Sequence, residues 1–271
     1  MEFYTLITGA TGGLGNAFAI ECAKRGDNLV LTGTNINKLN TIVELINKDF
    51  PTVKVLNKTC DLSSSEERIK FFDFLKENNA KINFLINNAG YIAEGEFLKH
   101  SDEEIIKIIR VNCEGTIDMT QKVIKSRDEK EPLHIITIAS MAGYYPMPYM
   151  AIYAGTKAML KNFMIALNYE MKNKNVFITT VCPSGIPTTE AMKEAIKSQG
   201  MAGKITMSPP EDIAKMSLKA SRKHKAVIIP KCINRFINGI SKLTSDKFLA
   251  KVVGKRWKKS QDKRNFNGEK K

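Results

Sequence analysis

Thr8-Gly9-Ala10-Thr11-Gly12-Gly13-Leu14-Gly15 is the stretch that decides the fold. It follows an apolar run at 3–8 and leads into a helical pattern, so it joins a strand to a helix through a glycine-rich turn. Glycines permit the tight bend, and backbone amides at the start of the helix can hold a pyrophosphate. Further short β-type runs lie at 28–32, 53–57, 84–87, 134–139, 176–182 and 226–229, with longer helical patterns between them. Several are nearly continuous in Val, Ile and Leu, as parallel strands buried on both faces require. Two helix starts carry the Ser-x-x-Glu spacing of a capping box, at Ser64 with Glu67 and at Ser101 with Glu104. The pattern predicts one α/β domain over 1–230, built on a doubly wound parallel sheet.

The chemistry is carried further along the chain. Tyr153 and Lys157 are four residues apart and share one helix face, so the ammonium can sit close to the phenol. A free phenol titrates near roughly 10, and an adjacent cation lowers that toward the range of a general acid or base. Ser140 ends the fifth run, where it can join the pair, while Asn87-Asn88-Ala89-Gly90 ends the fourth and Asn112 falls in the helical pattern after it. With these motifs in this order, residues 3–230 closely resemble the short-chain dehydrogenase/reductase family. That family's first turn has the Thr-Gly-x-x-x-Gly-x-Gly spacing found here in place of the more widespread Gly-x-Gly-x-x-Gly.

The resemblance implies a Rossmann-type fold, a nicotinamide dinucleotide cofactor, and interconversion of a ketone and a secondary alcohol. By resemblance Tyr153 is the acid or base, and Lys157 lowers its pKa and holds the nicotinamide ribose. Ser140 orients the carbonyl and stabilises charge developing on its oxygen, and Asn112 supports a water linked to Lys157. Gly9, Gly13 and Gly15 would shape the cofactor turn with Thr11 and Leu14 beside them. Asp61 and Leu62 would border the adenine, and Asn88, Ala89 and Gly90 its ribose. After the sixth run, Pro183-Ser184-Gly185-Ile186-Pro187-Thr188 departs from the family's Pro-Gly at Ser184. Pro183, Ile186 and Thr188 are still expected near the nicotinamide carboxamide.

Cofactor choice rests on Leu31-Thr32-Gly33-Thr34-Asn35. An acid there would bond the ribose 2′-hydroxyl of NAD and repel the 2′-phosphate of NADP; there is none, since Asp27 precedes the run. The Arg of many NADP-dependent relatives is absent too, with Thr34 in its place, Asn35 next and only Lys38 nearby. The expected cofactor is NADP(H), with NAD(H) as the alternative.

For the substrate, Met141 and Met147 lie between Ser140 and Tyr153, and Met192, Met201 and Met207 lie in or near a long segment at 186–210. That segment leaves the carboxyl end of a strand and is expected to act as a lid. Methionines adapt to irregular apolar shapes, so the lining fits a bulky hydrophobic molecule, although each methionine serves equally well in a core or an oligomer interface. Hydroxysteroids, including anionic bile acids, lead as the substrate class, followed by 3-oxoacyl thioesters of coenzyme A or an acyl carrier. A non-catalytic dinucleotide sensor or membrane-associated binding protein is the remaining reading, and the complete set Asn112, Ser140, Tyr153 and Lys157 argues against it.

The 271 residues, 43% hydrophobic and 26% charged, have the composition of a soluble globular protein. The glycine turn so near Met1 leaves no room for a signal segment, and no stretch approaches the roughly 18 apolar residues of a membrane span, so a cytoplasmic enzyme is expected. Cys22, Cys60, Cys113, Cys182 and Cys232 are odd in number and lack a Cys-x-x-Cys pair; they read as reduced and mostly buried, with no metal expected. The net charge of +14 is concentrated at the end, where residues 222–271 hold 16 Lys+Arg against 3 Asp+Glu.

This basic extension, 231–271, carries two apolar stripes at helical spacing: Ile233, Phe236, Ile237, Ile240 and Leu243, then Phe248, Leu249, Val252, Val253 and Trp257. The stripes either pack on the body beneath a solvated basic face, or form a surface for an anionic substrate, an acidic carrier or an anionic membrane. Beyond about Lys258 the polar composition predicts disorder. No recognition motif accompanies the charge, so nucleic acid is not an expected partner; the resemblance implies a homo-oligomer.

Overall fold

The structure, a computed structural model, describes residues 2–268, with side chains described as far as 262. The apolar runs become parallel strands whose two faces are both covered. These are β1 (Phe3–Thr8), β2 (Asn28–Gly33), β3 (Val55–Thr59), β4 (Lys81–Asn87), β5 (Leu133–Ile138), β6 (Val176–Val181) and β7 (Val227–Ile228), ordered β3-β2-β1-β4-β5-β6-β7 in one sheet. Strand order reverses between β1 and β4, and the crevice at their carboxyl ends is where such sheets bind ligands.

Helices α1 (Gly13–Ala23) and α2 (Ile36–Asp49) follow β1 and β2, and α3 (Ser65–Glu77) follows β3. Both expected capping boxes are formed, with Ser64 Oγ accepting from Glu67 N at 3.2 Å and Ser101 Oγ from Glu104 N at 3.3 Å. After β4, α4 (Asp102–Ile109) passes through a π-helical stretch, Arg110–Gly115, into α5 (Thr116–Ser126). Then come α6 (Ala151–Glu170), α7 (Glu190–Ser198), α8 (Gly200–Thr206), α9 (Pro210–Arg222), α10 (Cys232–Ser241) and α11 (Asp246–Gly268).

Two apolar cores flank the sheet. One holds Phe18, Leu31, Leu39, Ile86 and Ile213, the other Leu6, Phe71, Leu85, Met119 and Met164. Each such side chain stabilises the fold by roughly 1.5–3 kcal/mol on burial. The four cysteines Cys22, Cys60, Cys113 and Cys182 are buried and free, and Cys232 is exposed and free.

Several strand ends expected from sequence need correction; β4, for one, starts at Lys81 and not at Phe84. β3 starts at Val55, not at residue 53, because Val53 instead caps the core at the preceding turn, its amide donating to the Phe50 carbonyl at 3.0 Å. Beyond Lys258, where the polar composition predicts disorder, α11 runs on to Gly268; residues 269–271 lie outside the described residues. The helix is docked as far as Ser260. Ser260 is buried with its hydroxyl 2.5 Å from that of Ser198 on α7, and Arg256 donates to Gln199 Oε1 at 2.8 Å.

Candidate active site

The carboxyl ends of β1 and β4 are sewn together by short polar side chains. Thr8 Oγ1 accepts from the amides of Asn88 and Ala89 at 3.1 Å, and Asn88 Nδ2 donates to the carbonyls of Thr8 and Gly9 at 3.1 and 3.0 Å. Beneath them Asn87 Nδ2 donates to Thr120 and Thr137 at 2.9 and 3.2 Å. The first turn can approach this edge only as glycine. Gly9 has φ +63°, and a Cβ there would lie 2.7 Å from Ala89 Cα; one on Gly15 would lie 2.2 Å from the Gly9 carbonyl oxygen.

The result is a cleft of about 520 Å³ across the strand reversal. Gly9, Thr11, Gly13 and Leu14 line it, with Thr34, Asp61, Leu62, Asn88, Ala89 and Gly90 further along and Pro183, Ile186 and Thr188 on the far side. Gly15 lies beneath the wall and sets the turn. Asn35 and Lys38 are not among the lining residues; Asn35 Oδ1 instead accepts from the Lys38 amide at 3.0 Å and caps α2. The long cleft, its glycine floor and the amides opening α1 fit a dinucleotide.

Ser140, Tyr153 and Lys157 meet at one end of the cleft. The Ser140 hydroxyl accepts from the Ala142 amide at 3.1 Å, which fixes its direction after β5. Lys157 is buried, donates to the Ile138 carbonyl at 2.8 Å, and has its ammonium 5.8 Å from the centre of the Tyr153 ring. Burial brings that ammonium down from its ordinary value to about 8. Burial likewise pushes the Tyr153 phenol up, opposed by a hydrogen bond with Ser140. Burial is the larger of these two influences, so the phenol holds its proton, and Lys157 is not among the groups that shift it.

Asn112 sits in the π-helical stretch, fully enclosed. Its Oδ1 accepts from Tyr91 N at 2.7 Å, and its Nδ2 donates to Tyr91 O and Thr156 Oγ1, both at 3.0 Å. The side chain thus clamps the loop after β4 to α6, the helix that carries Tyr153. A Cβ on Gly90 would lie 3.5 Å from both Asn112 Oδ1 and Lys157 Nζ, so the two side chains converge there.

A second, apolar pocket of about 180 Å³ opens from this end. Ile92, Ser140, Tyr153, Ser184 and Met192 line both cavities. Met141 and Met147 line the pocket, while Ile196, Val253, Arg256 and Trp257 close it from α7 and α11. Arg256 lowers the pKa of Tyr145, against the larger effect of burial that raises it. Sequence reading missed Tyr91, Ile92, Lys107 and Val111 on the cleft. Only the position of Tyr91 and Ile92, directly after a strand-ending motif, could have signalled them. Asp61 has its carboxyl raised by burial but held below the usual range overall by the Ser63 hydroxyl and amide, with Lys107 adding to this. Among the described residues no cluster of His, Cys, Asp or Glu could hold a metal ion.

Residues 4–200 match the family described as short chain dehydrogenase. The very-long-chain 3-oxoacyl-CoA reductase of Coccidioides immitis is 31% identical over 182 residues, 66% of this chain and 52% of that protein. The chain spans about half the length of the curated relatives of that kind. The 3-oxoacyl acyl-carrier-protein reductase of Rickettsia conorii is 30% identical over 216 residues, 78% of this chain and 85% of its own. Among solved structures, a 7β-hydroxysteroid dehydrogenase has a TM-score of 0.80, covering 93% of this chain and 96% of its own at 20% identity. A short-chain dehydrogenase from Sphingobium yanoikuyae in complex with NADPH has a TM-score of 0.73, covering 89% and 94% at 24% identity. At these identities the two structures speak for the fold alone.

Proposed function

The chain belongs to the short-chain dehydrogenase/reductase family of oxidoreductases, and on that premise we propose that it reduces a bulky apolar ketone to a secondary alcohol with NADP(H). The observation that carries this reading is the wall shared by the two cavities, because Ser140 and Tyr153 face a dinucleotide cleft on one side and an apolar pocket on the other. A bound nicotinamide dinucleotide supplies the hydride. Tyr153 holds its proton against loss through burial and delivers it from Oη to the carbonyl oxygen. Ser140, aimed by the Ala142 amide, orients that oxygen and stabilises the charge it gains. Lys157 keeps a positive charge beside the phenol below about pH 8, easing transient phenolate. Asn112 holds the loop and helix that frame the pair.

NADP(H) is preferred because no acid stands after β2 to repel a 2′-phosphate. Of the two substrate classes, 3-oxoacyl thioesters now lead, supported by the names of both sequence relatives. Arg256 at the pocket wall also suits an anionic substrate such as a coenzyme A ester. Hydroxysteroids and bile acids remain second, favoured by the width and adaptability that Met141, Met147 and Met192 give the lining.

The test is NADPH and NADH oxidation by wild type with 3-oxoacyl-CoA esters of rising chain length and with ketosteroids that include oxo-bile acids. The proposal expects turnover with NADPH above NADH, and with thioesters above steroids. Inertness toward both sets with either cofactor, in protein that binds the dinucleotide, would remove the reading.

A further inference from the structure

Helix α10 is built inside out. Asn234, Asn238 and Ser241 are buried, while Ile233, Phe236, Ile237, Ile240 and Leu243 lie at the surface, with Phe236 65% and Leu243 87% exposed. One inward group is an anchor: Asn234 Nδ2 donates to the carbonyls of Thr206, on α8, and Pro230, both at 2.9 Å. Ser241 Oγ donates within the helix to the Asn238 carbonyl at 2.9 Å, and Asn238 Oδ1 is buried without a hydrogen-bond partner among the described residues. The Asn234–Thr206 bond thus favours an orientation that apolar burial would oppose. α11 adds exposed Phe248 and Val252. Phe236, Ile240 and Leu243, at i, i+4 and i+7, share one exposed face, and an apolar face of this kind marks an interaction site.

The charge around it selects the occupant. From Lys231 to Asp262 the chain has nine Lys and Arg against two Asp. Lys247, Lys251, Lys255 and Lys259 recur every four residues, share one face of α11 and are all exposed. A second copy of the chain would bring the same positive charge against this one and be repelled. An acidic protein would answer both the cations and the apolar run only with an apolar face matched to this one in shape. An anionic bilayer answers both, with headgroup charge at the surface and acyl chains beneath.

We propose that α10 and α11 dock peripherally on an anionic lipid bilayer, with Phe236, Ile240 and Leu243 entering the acyl boundary and the lysines of α11 reaching the headgroups. Ile237 and Val253, on the same two helices, line the apolar pocket. Docking thus brings the pocket wall to the phase where a lipid substrate dissolves. Among the described residues no helix is long and apolar enough to cross a membrane, so attachment of this kind would be reversible.

The full-length protein is floated with vesicles of phosphatidylcholine alone and of phosphatidylcholine mixed with phosphatidylglycerol, at low and high salt. Binding is expected to the mixed vesicles only, with release by high salt. Phe236→Ser combined with Leu243→Ser is expected to weaken it by about tenfold or more, and Lys247→Glu with Lys251→Glu by a similar factor, with the thermal midpoint of each variant kept. The proposal fails if wild type ignores both vesicles, or if neither variant changes binding. It also fails if the Phe236/Leu243 change breaks up an oligomer in solution without affecting vesicles, or if an acidic carrier protein binds this face and vesicles do not.

Discussion

The two halves of the catalytic cleft are built by opposite means. The proposed dinucleotide half is made chiefly by local backbone: Gly9 and Gly15 let the first turn lie against the end of β4, and the neighbouring side chains of Thr8 and Asn88 lock the two strand ends with hydrogen bonds of 3.1 Å. The substrate half is made by side chains from remote elements, with Met147 before α6, Ile196 on α7, and Val253, Arg256 and Trp257 on α11. The lesson is that cofactor binding is tied to local spacing and tolerates little change, whereas the pocket can be reshaped one side chain at a time.

The comparison breaks first at the turn. Gly15→Ala places a methyl 2.2 Å from the Gly9 carbonyl oxygen and 2.8 Å from Ala10 Cα, both backbone and unable to yield. Dinucleotide affinity is expected to fall at least about a hundredfold, with a stability loss of about 3 kcal/mol, as read by calorimetric titration and thermal melting. Retained affinity would show that the turn is not what holds the cofactor.

Lys157 tests where the two halves meet. Its ammonium is lost as pH rises through about 8 while the raised Tyr153 phenol stays protonated, so the reductive rate should decline above about pH 8. Lys157→Arg keeps its charge at all accessible pH. The variant is expected to be about thirtyfold slower at neutral pH, through poorer fit, yet to lose the alkaline decline in its pH–rate profile. An unchanged profile would assign the limb to another group.

Trp257→Ala sharpens the contrast from the substrate side. It should raise KM for a long-chain ketone about tenfold and leave the NADPH dissociation constant unaltered. Equal loss of both would mean that the halves are not separable. The smallest effect is expected from Thr34→Arg, which places a cation at the cleft wall where the 2′-phosphate is expected. NADPH should bind about fivefold tighter relative to NADH, and no change in that ratio would remove Thr34 from cofactor choice.

The fold and the glycine turn after β1 were legible because both rest on short-range patterns. Near-continuous Val, Ile and Leu runs specify strands buried on both faces, and the glycine spacing at Gly9, Gly13 and Gly15 specifies the turn. Strand ends were less legible where the sheet edge is polar: Lys58 and Thr59 carry β3 two residues past the expected end at Asn57. The substrate wall was illegible at Arg256 because no local pattern tells a solvated Lys/Arg face from one residue turned onto a distant pocket. The amphipathic pattern of α10 was plain, but hydrophobic periodicity gives a face and not its direction, and buried Asn234 and Asn238 reverse the usual one. Asn112 was found by resemblance, while its clamp on Tyr91 and Thr156 depends on a π-helical stretch that composition does not announce.

The central claim is that Tyr153 serves the chemistry and not the binding of the cofactor. The measurement that tests it most directly is NADPH affinity and ketone turnover on the same preparation of Tyr153→Phe. The account predicts a dissociation constant within about twofold of wild type and a rate lower by roughly a thousandfold. Turnover close to wild type, with NADPH bound as tightly, would contradict it.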